Sequence, residues 1–256
     1  MNFKFHSSII VMFFFVTGIA IGQEERKKEK FPSYFGVQIR PIFPVKFIGD
    51  PHLTMTQNEF TSTFQQKMGF SAGGVVRAGI SKLFAIETGL NFTQRNFDLT
   101  MDVPDSNIHA TNTLRFIEYD IPINGLVYIQ LARSFYMNAS LGGSITFKPT
   151  DVGVLTIPGG KDLFRHKGIV DSKIGFALNA NIGFEYRTEK AGIFYLGGSA
   201  RVPFSPLFIA AARYENQSYD NTIYGTVDGS FMALDFKYFI PNINKKGEQW
   251  QRGPIL

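Results

Sequence analysis

A strict alternation of side chains runs through Phe135-Tyr136-Met137-Asn138-Ala139-Ser140-Leu141-Gly142-Gly143-Ser144-Ile145-Thr146-Phe147. The odd positions carry apolar residues or glycine, and the even positions carry tyrosine, asparagine, serine, threonine or glycine. Successive side chains of a β-strand point to opposite faces, so this period of two predicts a strand with one apolar and one polar face. The stretch is also long, because ordinary strands average about 5–6 residues and a tilted strand crosses a membrane in about 9–11.

The same alternation recurs in seven further segments along the chain. Together the eight segments are residues 34–45, 70–80, 84–94, 114–129, 135–147, 173–187, 192–204 and 230–240. Short links (81–83, 130–134, 188–191) alternate strictly with long ones (46–69, 95–113, 148–172, 205–229). Membrane barrels join their strands by short periplasmic turns and longer extracellular loops. We therefore predict an all-β fold: an eight-stranded antiparallel transmembrane up-and-down β-barrel with both termini in the periplasm.

The composition suits a chain that faces lipid. Charged residues make up 18% of the sequence, below the roughly 25% usual for soluble domains, and aromatic residues make up 15%. The absence of cysteine excludes disulfides, cysteine-ligated zinc and thiol catalysis. The net charge of +5 comes from scattered basic residues, so we expect no nucleic-acid partner.

The N-terminus has the pattern of an export signal. Lys4 precedes an apolar run over residues 9–21, and the small residues Ala20 and Gly22 suit a cleavage site before Gln23. A membrane helix is the alternative, but thirteen residues rise only about 20 Å against a hydrocarbon core of about 30 Å. The predicted organisation is a signal peptide (1–22), a periplasmic leader (23–33), the outer-membrane barrel (34–240) and a periplasmic C-terminal tail (241–256).

The polar faces of the predicted strands should line the interior of the barrel, since the apolar faces meet lipid. Nine charged side chains lie on these faces: Arg40, Arg77, Glu87, Glu118, Asp120, Glu185, Arg201, Asp235 and Lys237. An eight-stranded barrel is just wide enough for side chains to fill, and an unpaired charge inside is costly. We interpret the nine residues as a structural network of ion pairs that plugs the barrel; a gated path for protons or ions is the alternative.

Four short stretches resemble a known family. They are Phe35-Gly36-Val37-Gln38-Ile39-Arg40-Pro41, Glu87-Thr88-Gly89-Leu90, Tyr119-Asp120-Ile121-Pro122 and Leu141-Gly142-Gly143. They resemble the small outer-membrane β-barrel proteins of Bacteroidetes, including PorT-like proteins, which are OmpA-type eight-stranded barrels. The resemblance implies residence in the cell outer membrane. It implies no mechanism, because roles differ among the members and a fold alone does not define function.

The chain carries little that suggests chemistry. His52, His109 and His166 all fall in the predicted long loops, and no serine lies at a spacing from them that would indicate a catalytic pair. We therefore expect no catalytic residue, cofactor or metal. The favoured function is a non-enzymatic structural or interaction role in the outer membrane. The expected partners are outer-membrane lipid and a protein bound through the extracellular loops or periplasmic termini. The alternatives are a narrow transporter for ions or apolar small molecules and an outer-membrane lipid hydrolase.

Overall fold

The computed structural model describes residues 33–241 except positions 58–59, 82, 104–106, 159–161, 189 and 218. The predicted signal peptide lies outside these residues, as do the leader apart from Ser33 and the tail apart from Pro241. The described residues form thirteen strands: β1 (Ser33–Phe43), β2 (His52–Gln57), β3 (Phe60–Gly79), β4 (Phe84–Val103), β5 (Ile108–Ala132), β6 (Phe135–Phe147), β7 (Val152–Thr156), β8 (Leu163–Ile169), β9 (Ile174–Thr188), β10 (Gly192–Pro203), β11 (Phe208–Glu215), β12 (Asp220–Val227) and β13 (Phe231–Phe239).

Eight of these strands form a closed series of pairings. In the order β1, β3, β4, β5, β6, β9, β10, β13, each strand pairs antiparallel with the next, and β13 pairs back with β1. Val37, for example, lies opposite Gly74 on β3 and Tyr238 on β13. We call these eight strands the ring, and they overlap the eight segments that the alternation predicts. The all-β antiparallel class is confirmed, whereas the number of strands is thirteen rather than eight.

The other five strands lie in segments that the sequence analysis treated as long loops, and this part of the prediction was wrong. Strand β2 pairs with the first part of β3, and the remaining four form a separate sheet in the order β12-β11-β8-β7. In the link 95–113, β4 and β5 continue past the ring and stay paired. We call β2, residues 60–67, 96–103 and 108–116, and the four-stranded sheet together the extension.

The polarity of the two strand faces reverses where the ring meets the extension. In the ring part of β4, Leu90 is 58% exposed while its neighbour Asn91 is fully buried. Beyond Arg95 the same inward face carries Phe97 and Leu99, which are buried, while the outward face carries polar side chains. The ring therefore has an apolar outside and a polar inside, and the extension has the opposite arrangement.

The interior of the extension is a conventional hydrophobic core. Buried apolar side chains from both sheets meet in one cluster: Met55, Phe60, Phe64, Phe97, Leu99, Met101, Val103, Ala110, Leu114, Phe116, Phe164, Leu207, Phe208, Ala210, Ala212, Tyr214, Ile223 and Val227. Among the described residues, none belongs to a helix long and apolar enough to cross a membrane.

Two glycines of the ring make room for a tyrosine. The Tyr195 hydroxyl donates a hydrogen bond to Asn181 Oδ1 at 2.5 Å, and its ring passes over Gly183 and Gly197. A Cβ atom at Gly183 would collide with the Tyr195 hydroxyl and lie 2.6 Å from the carbonyl oxygen of Leu196. These interior glycines of β9 and β10 thus admit the tyrosine side chain.

This packing predicts that Gly183→Ala destabilises the ring. Overpacking of this kind costs about 1–3 kcal/mol, measured as the free energy of unfolding in urea. Gly198→Ala is the matched control, because its Cβ would find nothing closer than the Ala233 carbonyl oxygen at 3.9 Å. Equal stability of the two variants would contradict the tight fit around Tyr195.

Candidate functional site

The nine charged residues predicted to line the interior all lie on the inward face of the ring. Eight of them are buried, and the Arg40 side chain retains 13% of its exposure. All of them except Asp235 fall into two groups along the ring axis. One group is near the short links, which we call the lower cluster, and the other is near the extension, which we call the upper cluster.

The lower cluster is built around Arg77. Its guanidinium donates to Glu87 Oε2 at 2.7 and 3.1 Å, forms a short ion pair with Glu185, and stacks 4.1 Å from the centroid of the Phe239 ring. Lys237 donates to the second oxygen of Glu87. Arg187, which the sequence analysis did not select, donates to Glu185 Oε1 at 2.6 Å. The two carboxylates thus face three cations, and all five side chains are buried.

The upper cluster contains a second residue that the sequence analysis missed. Arg95 donates to Glu118 Oε1 at 2.9 and 3.2 Å and to the carbonyl oxygen of Gly229 at 2.5 Å. Arg201 donates to Asp120 Oδ1 at 3.0 Å, and Arg40 lies 3.8 Å from the same oxygen. Arg187 is the last residue of the predicted segment 173–187, two positions after Glu185, and Arg95 lies one residue beyond the segment 84–94. Continuing the alternation to these two positions would have found both.

Asp235 is held differently from the other acids. Its carboxylate accepts hydrogen bonds from the Ser199 hydroxyl at 2.9 Å and from the Asn181 amide. Both donors are uncharged, so this carboxylate is solvated by the protein's own polar groups. The network therefore combines ion pairs with amide and hydroxyl donors, in keeping with the rule that buried charges need several partners.

Little space remains between these side chains. One interior cavity of about 30 Å³ is lined in part by Gln38, Arg40 and Asn124, and another of about 20 Å³ lies beside Arg95, Lys148 and Arg201. A single water molecule requires about 10–15 Å³ measured in this way. Each cavity therefore has room for one or two waters and none for a larger solute.

The histidines do not lie in loops as the sequence analysis expected. His52 is on β2, His109 on β5 and His166 on β8, because the long links contain strands. His109 pairs with Asp102 on the exposed surface, with Nδ1 2.5 Å from Oδ1. Among the described residues, no group of three or more His, Asp or Glu side chains is arranged to hold a metal ion.

His166 and Ser62 form a pair that the sequence could not reveal. His166 Nε2 lies 2.9 Å from Ser62 Oγ, and the imidazole packs edge-on against Phe64 with ring centroids 5.4 Å apart. Both residues are fully buried, and within the described chain Nδ1 has no hydrogen-bond partner. The hydrogen bond joins β3 of the nine-stranded sheet to β8 of the four-stranded sheet.

The fold and the interior define a class: an antiparallel all-β protein whose closed ring is apolar outside and polar inside. No family model matches the chain, and no curated protein is detectably similar in sequence. A solved structure that is similar is the crystal structure of the outer membrane protein OprG from Pseudomonas aeruginosa. It is 11% identical, and the match covers 83% of this chain and 97% of that one with a TM-score of 0.49. A likeness this distant carries no argument about function, and the PorT-like resemblance stays a prediction.

The ion pair between Arg95 and Glu118 predicts strong non-additivity. Arg95→Met or Glu118→Gln alone leaves a buried charge without its partner, at a cost of about 3–5 kcal/mol in the free energy of unfolding. The double variant should cost less than the sum of the two single changes. The exposed pair of Lys67 and Asp98, 3.2 Å apart, is the control, since such surface pairs contribute at most about 1 kcal/mol. Additive losses at Arg95 and Glu118 would rule out a coupled interior network.

The His166 imidazole predicts a pH dependence of the extension. Burial lowers the pKa of His166 from 6.5 to about 4. As the pH falls below 6.5 the unfolded chain gains a proton that the folded chain does not, so the free energy of unfolding decreases. Between pH 7 and pH 5 the loss is about 2 kcal/mol.

The measurement is the urea midpoint at the two pH values. His166→Gln should remove the part of the stability difference between pH 7 and pH 5 that comes from this imidazole. His52 lies on the exposed surface of β2, so His52→Gln should leave the difference as in the unaltered chain. If both variants kept the full pH dependence, His166 would not be its source.

Proposed function

We propose that the chain is a non-enzymatic outer-membrane β-barrel protein of the small PorT-like kind. In this proposal the ring spans the bilayer with a closed interior, and the extension projects outside the cell as a folded binding domain. The expected partners are outer-membrane lipid around the ring and a protein bound by the extension or by the periplasmic termini. The observation that carries the proposal is the reversal of polarity between ring and extension.

The outside of the ring supports a lipid environment. Outward apolar side chains on seven of the eight ring strands are between 45% and 68% exposed, among them Val37, Ile39, Leu90, Ile121, Leu141, Ile145, Phe176, Leu178, Ile182, Leu196, Leu234 and Phe236. Soluble monomers rarely expose contiguous apolar patches larger than a few hundred Å². An apolar band around a closed ring of strands is the arrangement that transmembrane barrels present to hydrocarbon.

The level of the reversal supports a membrane boundary. On β5, Phe116 is fully buried in the core of the extension, and its neighbour Ile117 is 37% exposed on the outside of the ring. On β4 the change falls at Arg95, close to Phe116 in the strand register. A boundary at one level on neighbouring strands fits the surface of a bilayer, because outward residues meet hydrocarbon on one side of it and water on the other.

The arrangement of links supports the orientation. The described chain begins at Ser33, opposite Ala78 at the end of β3, on the side of the short links. The extension lies on the other side. Short turns of such barrels are periplasmic and longer connections are extracellular. The extension should therefore lie outside the cell, and the termini should lie in the periplasm.

The interior supports an anchoring role over transport or hydrolysis. Two cavities between its described side chains measure about 30 and 20 Å³, and the core of the extension covers the upper cluster. The buried pair of Ser62 and His166 gives no access to a lipid substrate. The surface that remains for interaction is the exterior of the extension, and a folded β-domain offers a partner a defined shape.

Thiol labelling tests the topology without background, because the chain has no cysteine. Cysteines replacing Thr56 or Thr111, both exposed on the extension, should react with an impermeant reagent on intact cells. Cysteines replacing Arg133 or Lys190, at the short links, should react only after the envelope is opened. Reaction of the second pair on intact cells would overturn the proposed orientation, and a chain that remains soluble after lysis would overturn the membrane ring.

A further inference from the structure

The outward face of the four-stranded sheet carries a shallow concave surface. Its inward face contributes Phe164, Ala210 and Ala212 to the hydrophobic core and also carries the buried His166. The alternate residues point outward and line a concavity of about 460 Å³ that includes Arg165, Lys167, Ile169, Ala211, Arg213 and Tyr224. We call this concavity the basic groove.

The strand register explains its shape. Ala211 lies opposite Lys167 on β8 and opposite Tyr224 on β12, and Lys167 in turn lies opposite Gly153 on β7. The small side chain of Ala211 and the absence of one at Gly153 leave a low floor on both sides of Lys167. The Tyr224 ring, 65% exposed, forms one wall of this floor.

The charges of the basic groove are only partly balanced. Arg213 is neutralised by Asp220, with two N–O distances of 2.7 Å, and lies 3.1 Å from Glu215. Arg165 stands directly opposite Arg213 in the register, and like charges in that position destabilise a sheet. Within the described part of the chain, neither Arg165 nor Lys167 has an acidic partner within 4.0 Å. Two exposed cations on one floor favour an anionic ligand.

The groove begins close to the apolar band of the ring. Ile169 ends β8, and Ile174 begins β9 five residues later with 58% of its surface exposed on the outside of the ring. Lys167 and Arg165 are two and four residues further from the ring, about 7 and 13 Å along the strand. In the proposed orientation this is the depth of the phosphate and sugar groups of the outer leaflet, above its acyl chains.

We propose that the basic groove binds the phosphorylated headgroup of a glycolipid of the surrounding outer leaflet. Arg165 and Lys167 donate charge-assisted hydrogen bonds to a phosphate, and the exposed face of Tyr224 packs against a sugar ring. Ile169 forms the apolar end of the groove nearest the acyl chains, and Ala211 lies on the floor beside Lys167. This inference rests on the proposed function, because it places the groove at the membrane surface.

The test uses the full chain in lipid nanodiscs and three probes: diphosphorylated, monophosphorylated and dephosphorylated lipid A. Retention of each probe is measured by native mass spectrometry and its apparent Kd by titration. The variant is Arg165→Gln with Lys167→Gln. The matched control is Lys67→Gln with Arg115→Gln, which removes two cations from the outward faces of β3 and β5. Heat-modified gel mobility shows whether each variant is folded.

We expect the diphosphorylated probe to bind most tightly and the dephosphorylated probe most weakly. The groove variant should lose about tenfold in affinity for the diphosphorylated probe, which corresponds to about 1.4 kcal/mol. The control should lose much less. Equal losses in the two double variants would show general attraction between charges and overturn the groove. Equal binding of the dephosphorylated probe would contradict recognition of the phosphate group. An acidic peptide serves as a further probe, and its binding in place of the glycolipid would also contradict it.

Failure of the membrane proposal gives a different result. Flotation of the unaltered chain with liposomes tests insertion independently of the headgroup. A chain that floats without phosphate-dependent retention refutes the groove and leaves the barrel standing. The chain could instead fail to float and still bind a water-soluble phosphorylated glucosamine disaccharide through Arg165 and Lys167. That result would refute the membrane ring, while recognition of a phosphorylated sugar by the groove would still hold.

Discussion

The ion pair between Arg95 on β4 and Glu118 on β5 lies at the level where the charged interior of the ring meets the apolar interior of the extension. On one side are Asp120 and Arg201, and on the other is the buried Phe116. A charge removed from water is tolerated only where counter-charges and hydrogen bonds replace its hydration. Arg95 meets this condition through Glu118 and the Gly229 carbonyl oxygen, while its guanidinium stacks 4.6 Å from the Phe231 ring. Strand β4 can therefore pass from one environment to the other without leaving the Arg95 charge unpaired.

Much of the ring follows from the sequence because period two is a local property. Each ring strand carries enough alternating residues to be recognised alone, and the inward face of each strand follows from its polar positions. The extension was missed although part of its signal was present. In β4 the alternation continues through Phe97, Leu99 and Met101 with the apolar residues on the inward face. Because the sequence analysis assigned every apolar face to lipid, it took this reversal as the end of the strand.

The partners of the interior charges could not be predicted, since they depend on register and on distant strands. Arg77 pairs with Glu185 across 108 positions, and Ser62 meets His166 across 104. A single sequence fixes neither distance, because both pairs arise only after the ring closes and the four-stranded sheet packs against β3. The strand β11 adds a second difficulty: its alanine-rich stretch Ala210-Ala211-Ala212 has little contrast between its two faces.

The two parts of the molecule are closed by different interactions, and this bears on their roles. Every seam of the ring is a backbone ladder. In the described residues, the extension instead consists of separate sheets whose edges meet through side chains. Asn112 on β5 donates to Thr156 Oγ1 on β7 at 2.8 Å, and Gly225 on β12 packs against Leu53 and Met55 of β2. Proteins open locally in units of differing stability, and a seam without a backbone ladder lacks the hydrogen bonds that hold a ladder closed. The extension should therefore open before the ring, so the proposed anchor would persist while the displayed domain adapts to its partner. The basic groove lies within the four-stranded sheet and crosses neither seam, so such opening would leave its cations in register.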